Sequence, residues 1–287
     1  MDPIGWSILN TENDTRTLRK EATPLALLPP ARFVPRIFGV STIGPLHVQR
    51  GIPCQDACSY LGFENGTGVI AVADGLGSAP RSDRGATLAS QTVCRFIEQA
   101  NARASLSVDQ SSSLLNGAAS AARSALERLS TDLACELREL ATTLIIVILF
   151  PDSVAACHIG DGAVVARTTT GLRIVSGPAD SEYVNEVLPL TSSEWEGALR
   201  MSTIVTEATA VAVFTDGCQR ATFLKGPQGV IPFGGFFDPV FSFADEVADL
   251  QDGKEQLAKL LTSAKISDNS EDDKTFVVAI PSAAGTL

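Results

Sequence analysis

Short runs of apolar residues that stop at an Asp-Gly pair recur along the chain. The first run, Val69–Ala73, precedes Asp74-Gly75. A second run, Val211–Phe214, is followed after one residue by Asp216-Gly217, and a third precedes Asp161-Gly162. Apolar runs of this length are typical of strands buried on both faces, and glycine lets a ligand approach the backbone closely. Three acidic strand ends therefore predict that several carboxylates converge on one site.

The rest of the pattern predicts helices packed on antiparallel strands. Apolar residues spaced by three and four from Leu115 to Leu140 form one stripe, which predicts a long helix lying on a sheet face. A serine-rich linker at 105–113 separates it from a helix predicted from residue 81 to about 100. Turns as short as Pro151-Asp152 require antiparallel pairing. Strands are predicted at 36–43, 142–150, 153–159, 163–168, 172–175, 203–206, 211–215 and 275–280, with short helices near 243–251 and 254–264. We expect an α+β sandwich of sheets covered by helices.

Four segments have no regular pattern. Residues 1–35 are polar and then proline-rich, which predicts an extended N-terminal arm in front of a domain spanning 36–287. Residues 44–57 are predicted to form a loop. The segments 176–200 and 226–243, the second rich in glycine and phenylalanine, are candidates for a flap over the site.

Composition narrows the classes of function. The 287 residues are 45% hydrophobic and 19% charged, as in an ordinary globular protein. A net charge of −11 argues against a general nucleic-acid or anionic-membrane binder. The longest apolar run, Leu144–Phe150, is too short to span a membrane, and no signal-peptide pattern is visible, so we expect a cytoplasmic protein. Six cysteines without a CxxC pair are expected to stay reduced.

The chemistry of the candidate site favours oxygen ligands. Only two histidines occur, which weakens the case for a zinc site or a histidine-based triad and favours Mg²⁺ or Mn²⁺. Asp272 and Asp273 precede the last predicted strand, and taken alone such a loop is usually a solvated turn. Taken together with Asp56, Asp74 and the other strand-end aspartates, these two residues are better explained by a metal cluster. Converging carboxylates repel one another unless a cation is bound.

Six motifs in order resemble the type-2C (PPM) metal-dependent serine/threonine phosphatases. They are Gln55-Asp56-Ala57, Val72–Ser78, Ala141–Leu144, Ile159–Gly162, Phe214–Gly217 and Asp272–Thr275. The likeness extends over residues 37–281 and is greatest to a bacterial branch with a CQDAC loop, here Cys54–Cys58, and a TDGxQR strand end, here Thr215–Arg220.

The resemblance implies an αββα sandwich of two mainly antiparallel sheets flanked by helices. It also implies a binuclear Mg²⁺ or Mn²⁺ site at which a metal-bridging water attacks phosphoserine or phosphothreonine. Asp74 would bridge the two ions and the Gly75 carbonyl would bind one of them. Asp216 and Asp272 would hold the other. Asp56 would bind directly or through water, and Asp161 with Asp216 would hold a third, looser ion. The expected partner is a phosphoprotein substrate opposed by a serine/threonine kinase, and a monomer is expected.

Three positions depart from the family pattern. Gln55 stands where Glu is common, Leu76 stands where many members have a histidine, and Gly51 stands at the usual place of a phosphate-binding arginine. Arg50 is the nearest arginine to that place, and His47 is a second candidate catalytic residue for the phosphate or for the leaving-group proton, although a loop histidine is more often exposed. Asp273 replaces a usual Asn, and an orienting role is expected.

Two alternatives to a type-2C phosphatase are open to the sequence. The first is a phosphatase-like module, weak or inactive in catalysis, that binds a phosphoprotein or a regulatory partner; Gln55 and Leu76 leave this alternative open. The second is a haloacid-dehalogenase-type phosphatase, which would need an aspartate at position 76, where the chain has Leu76.

Overall fold

Two five-stranded sheets lie face to face, and every strand pair in them is antiparallel. The computed structural model describes residues 34–178, 187–205, 208–227 and 229–281. Sheet A has the order β1 (Arg36–Thr42), β12 (Lys274–Ile280), β9 (Ala208–Phe214), β6 (Ala163–Thr168) and β7 (Gly171–Ser176). Sheet B has the order β2 (Ala57–Gly62), β3 (Gly68–Ala73), β4 (Leu144–Leu149), β5 (Ser153–Ile159) and β8 (Arg200–Val205). A separate hairpin pairs β10 (Phe223–Gly226) with β11 (Gly229–Pro232).

Helices cover the outer faces of both sheets. Helices α2 (Ser82–Arg103) and α3 (Ser111–Asp132) pack on sheet B. Helices α6 (Gly234–Glu246) and α7 (Leu250–Leu261) pack on sheet A. The short helices are α1 (Pro45–Arg50), α4 (Trp195–Ala198), α5 (Gln219–Thr222) and α8 (Ala264–Ser267), and 3₁₀ turns occupy Val108–Gln110, Leu137–Leu140 and Asp216–Cys218. The layer order is αββα, which confirms the predicted fold class.

The alternation of side chains along each strand produces three apolar layers. Ile70 and Val72 of β3 face sheet A and pack in the layer between the sheets, whereas Val69 and Ala71 face α2 and α3. Strand β4 divides in the same way, and all six of its residues are buried. A strand buried on both faces reads as an unbroken apolar run, which is why these strands were predictable.

The predicted long helix ends earlier than its apolar stripe. Helix α3 stops at Asp132, and Ala134 then takes a left-handed φ of 48° that no α-helix can continue. The chain resumes as the 3₁₀ turn Leu137–Leu140, and Leu140 still packs in the same core as α3. The apolar stripe therefore identified the buried face correctly but did not indicate the break. Helix α3 also begins at Ser111, inside the segment 105–113 that was predicted as a linker.

Three other elements were missed or misplaced by the sequence-based predictions. The loop 44–57 contains helix α1, and strand β2 was not predicted because its residues are only half-buried and lack a clear apolar pattern. The helix expected near 243–251 is α6, which begins at Gly234. Its phenylalanines belong to the core of sheet A, with Phe237 and Phe241 fully buried. Most of 226–243 is thus helix and hairpin.

Some predicted segments lie partly outside the described residues. Of the arm at 1–35, residues 1–33 lie outside, and so do residues 179–186 of the segment 176–200. All six cysteines are described, and none of them is paired. Within the described ranges, no helix is long and apolar enough to cross a membrane.

Candidate metal centre

Three aspartates from different strand ends meet at one edge of the sandwich. Asp74 follows β3, Asp161 lies in the turn between β5 and β6, and Asp216 starts the 3₁₀ turn after β9. One carboxylate oxygen from each lies within 4.8 Å of the others, and all three side chains are half-buried. Because β3 and β5 belong to sheet B and β9 to sheet A, the cluster exists only where the two sheets stack.

Backbone hydrogen bonds fix the turn that carries Asp74. The amide of Thr143 donates to the carbonyl of Asp74 at 2.8 Å, and the Asp74 amide donates to the hydroxyl of Thr143 at 3.0 Å. The Gly75 amide donates to the carbonyl of Gln55 at 3.1 Å. A Cβ at Gly75 would lie 2.7 Å from both that carbonyl oxygen and the Cβ of Ser82. The glycine is therefore required by close packing against two neighbouring segments.

Burial and mutual repulsion raise the pKa of each cluster carboxylate. Burial is the largest cause for Asp74, Asp161 and Asp216, followed for Asp74 by the charges of Asp56 and Asp216. The pKa of Asp216 rises to about 6. Its Oδ1 atom is buried and has no hydrogen-bond partner among the described residues. A buried acceptor without a donor, surrounded by further carboxylates, fits a hard divalent cation with oxygen ligands.

Asp56 and Asp272 lie beside this group and outside it. Asp56 is buried, and the hydroxyl of Thr215 donates to its Oδ2 at 2.8 Å. Burial raises the pKa of Asp56, and the hydrogen bond from Thr215 opposes that rise. Asp272 is exposed, but its charge contributes to the raised pKa values of Asp74, Asp161 and Asp216. Both carboxylates therefore lie outside the group of three, and their charges raise pKa values within it.

Asp273 is the most buried acidic side chain near the site, at 2% exposure. Its Oδ1 accepts the amide of Gly44 at 2.6 Å, and its Oδ2 accepts the amide of Gln55 at 2.5 Å and faces Nδ1 of His47 at 2.9 Å. This carboxylate fastens the loop between β1 and β2 to the start of β12. His47 itself is only 5% exposed, unlike an average loop histidine.

Two features of the acidic loop were missed by sequence reasoning. Lys274 is 2% exposed, and its Nζ donates to the carbonyls of Ser270 and Asp272 at 2.8 and 2.7 Å. Arg220 donates to the carbonyl of Asn269 at 3.2 Å. The two side chains hold the loop that presents Asp272. A lysine at the start of an apolar strand was the available signal, because lysine is rarely buried without partners.

A polar cavity of about 730 Å³ opens next to the carboxylates. His47 and Arg50, both in α1, lie on its wall, and so do Asp216, Arg220 and Asp272. Asp74 and Asp161 lie next to the cavity, because each has a carboxylate oxygen within 4.8 Å of one on Asp216. The cavity thus combines an acidic floor suited to cations with arginine side chains suited to a phosphate group.

Comparison with known proteins places the chain in a family. The sequence profile described as Protein phosphatase 2C matches residues 43–262. The chain belongs to the protein phosphatase 2C family. It is 30% identical over 251 residues to Serine/threonine-protein phosphatase 3 of Escherichia coli (strain K12), covering 85% of this chain and 98% of that protein.

Solved structures show the same fold at low sequence identity. A serine/threonine phosphatase from S. agalactiae superposes with a TM-score of 0.58 and 14% identity, covering 86% of this chain and 99% of that one. One from Mycobacterium tuberculosis gives a TM-score of 0.55 and 15% identity, covering 87% and 99%. The protein phosphatase 2C assignment confirms the prediction of a metal-dependent protein serine/threonine phosphatase and does not favour the non-catalytic alternative.

Proposed function

We propose that this protein phosphatase 2C member hydrolyses phosphoserine and phosphothreonine in proteins with Mg²⁺ or Mn²⁺. The observation that carries the proposal is the cluster of three carboxylates with oxygens within 4.8 Å, one of them buried without a partner. The Escherichia coli relative, named as a serine/threonine phosphatase, supports the substrate class.

The cluster and its neighbours would supply the ligands for two ions and for a third, looser one. The two ions would be held by Asp74, the Gly75 carbonyl, Asp56, Asp216 and Asp272, directly or through water. Asp161 and Asp216 would hold the third ion. Divalent ions bound here would neutralise the carboxylates, bind phosphate oxygens and make a water molecule more acidic. The raised pKa values of the carboxylates in the metal-free protein support this assignment.

Arg50 is proposed to bind the phosphate. It is exposed, belongs to α1 and lies on the wall of the cavity shared with Asp216 and Asp272. A guanidinium presents two N–H groups that match two phosphate oxygens. The left-handed Gly51 that ends α1 has nothing within 4 Å of a built Cβ, so the chain around Arg50 has open space. Cations held by the carboxylates would neutralise the remaining phosphate charge.

A phosphoprotein phosphatase requires a kinase that supplies its substrate. We place the protein in the cytoplasm as a monomer that opposes a serine/threonine kinase. Its net charge of −11 is compatible with a cation-dependent site and unfavourable for binding nucleic acid.

The test is turnover of a phosphoserine peptide and of p-nitrophenyl phosphate with and without Mn²⁺. Asp74→Asn and Asp216→Asn should each lower kcat/KM by more than about 100-fold, beyond the range typical of changes around a metal site. Asp109→Asn, an exposed carboxylate in the 3₁₀ turn before α3, should leave it unchanged. Activity in EDTA equal to that in Mn²⁺, or active variants at positions 74 and 216, would contradict the proposal.

A further inference from the structure

The ring of His47 has a fixed orientation. His47 lies in the last turn of α1, and its Nδ1 is 2.9 Å from Oδ2 of Asp273. Both side chains are almost fully buried. A carboxylate can only accept, so Nδ1 carries a hydrogen and donates it to Asp273. Nε2 is then the ring atom left to exchange a proton.

Asp273 itself has no freedom to turn away from the ring. The amides of Gly44 and Gln55 donate to its two oxygens at 2.6 and 2.5 Å. These amides belong to the segments before α1 and before β2, so the carboxylate is clamped between both ends of the loop that carries His47. A partner fixed on three sides sets both the tautomer and the plane of the ring.

Nε2 is free in the described part of the chain. It makes no hydrogen bond there and is not among the buried unpaired atoms. His47 lines the polar cavity together with Asp216 and Asp272. Among the described residues on that wall, His47 has the only imidazole. A guanidinium group is too weak an acid to serve as a proton donor.

The other histidine cannot substitute for His47. His158 is fully buried in β5, with Nδ1 2.9 Å from the hydroxyl of Ser176 and 3.1 Å from Arg200. Burial, with the charge of Arg200, lowers the pKa of His158 to about 3, so it is neutral at physiological pH. The residue after the Asp74-Gly75 turn is Leu76, which has no proton to give.

We propose that His47 is the general acid for the leaving group and that Asp273 is its positioning residue. The inference rests on the proposed phosphatase function. Water adds its oxygen to phosphorus, and the bond from phosphorus to the seryl oxygen breaks with its electron pair on that oxygen. The seryl oxygen takes the Nε2 proton of His47 and leaves as serine. The attacking water releases one proton to solvent, and His47 regains one from solvent.

The test compares two leaving groups, because a seryl alkoxide needs a proton and p-nitrophenolate hardly does. His47→Gln should lower kcat/KM for a phosphoserine peptide by about 10²–10⁴-fold, the usual range for general acid catalysis. The loss with p-nitrophenyl phosphate should be at least about tenfold smaller. The rise in Tm produced by Mn²⁺, measured without substrate, should match that of the wild type, because His47 is not a proposed metal ligand.

Asp273 is tested through the same ratio of losses. Asp273→Asn should also lower turnover of the phosphoserine peptide more than that of p-nitrophenyl phosphate. In the His47→Gln background it should no longer change this ratio, since residues that act as one unit are not additive. A merely structural disturbance of the loop would lower kcat/KM for both substrates alike, and it would therefore leave the ratio of the two losses unchanged.

Three outcomes would overturn the inference. Equal losses with both substrates in His47→Gln would make His47 a binding or structural residue. A ratio that Asp273→Asn still shifts in the absence of His47 would remove the positioning role. A wild-type protein without Mn²⁺-dependent turnover of either substrate would overturn the proposed function as well. The wild-type assay is done before any variant is compared, so this outcome is distinguished from a failure of the inference about His47.

Discussion

Replacing Asp216 by asparagine should stabilise the metal-free protein while removing its response to metal. Asp216 shares the cluster with Asp74 and Asp161, and its buried Oδ1 has no partner among the described residues. Burial, then the charges of Asp161 and Asp272, raise its pKa. At neutral pH without metal, the charged carboxylate is therefore a destabilising group in the folded state.

The size of the effect is set by the pKa of Asp216 and by the repulsion between neighbouring carboxylates. The pKa of Asp216 rises from 3.8 to about 6, and each pKa unit corresponds to about 1.4 kcal/mol, which gives about 3 kcal/mol. Carboxylate oxygens no more than 4.8 Å apart repel by at least about 3.5 kcal/mol at an effective dielectric of about 20. Because the amide must still be accommodated, we expect Asp216→Asn to add about 1–3 kcal/mol at pH 7, or on the order of 5 °C in Tm.

The pH dependence has a definite sign. A carboxylate whose folded-state pKa is raised binds its proton more tightly in the folded state. Its stabilising contribution is full below the unfolded value of 3.8 and is lost as the pH rises through about 6. Asp74 and Asp161 act in the same direction. Without metal, the wild type should therefore lose stability between pH 4 and pH 7, and the variant should lose less.

The assay is a set of thermal melts at pH 7 in EDTA and in millimolar Mn²⁺. The wild type should gain stability with Mn²⁺ by mass action, whereas Asp216→Asn should start higher in EDTA and gain little. The exposed Asp109→Asn serves as the control and should follow the wild type in both buffers. A lower Tm for Asp216→Asn in EDTA, or an undiminished Mn²⁺ response, would refute the reasoning.

Three further predictions test the surroundings of the cluster. Thr215→Val should lower the free energy of unfolding by about 1–3 kcal/mol in urea melts, because it removes the Thr215 hydroxyl that donates to buried Asp56. An equal loss in Thr215→Ser, which keeps the hydroxyl, would contradict this. Gly217→Ala should destabilise by at least about 1–3 kcal/mol, because its Cβ would overlap a backbone carbonyl. Gly197→Ala, where a Cβ meets nothing within 4 Å, is its control, and equal urea midpoints would dismiss the steric argument. Arg50→Ala should lower kcat/KM for a phosphopeptide by about 10- to 100-fold, the value of a charge-assisted hydrogen bond, with the Mn²⁺ shift in Tm retained; unchanged kcat/KM would exclude Arg50 from phosphate binding.

Much of the fold could be read from the sequence, because its signals are local. Strands such as β3 and β4 are buried on both faces, so their apolar runs are unbroken and their ends are marked by polar residues. The stripe of α3 identified its buried face from spacing alone. The order of the acidic motifs indicated the family, and with it the layer order and the convergence of Asp74, Asp161 and Asp216.

Local signals failed where another element determines the conformation. The phenylalanines of α6 read as an irregular insertion because two glycines and Pro239 interrupt the helical pattern. Phe237 and Phe241 stack on each other and pack in the core on the outer face of sheet A, and this burial stabilises the helix that carries them. The break after α3 likewise depends on the left-handed φ of Ala134, a conformation that an alanine in the sequence does not indicate.

The arrangement around His47 could be decided only by the tertiary structure. Its partner Asp273 is 226 residues away in sequence, and the carboxylate is clamped by amides from two other segments. A spacing pattern carries no information on such a contact, since it arises from the register of β1 against β12, which brings Thr42 opposite Lys274. The sequence determined which residues could do chemistry, and the pairing of strands distant in sequence determined which of them touch.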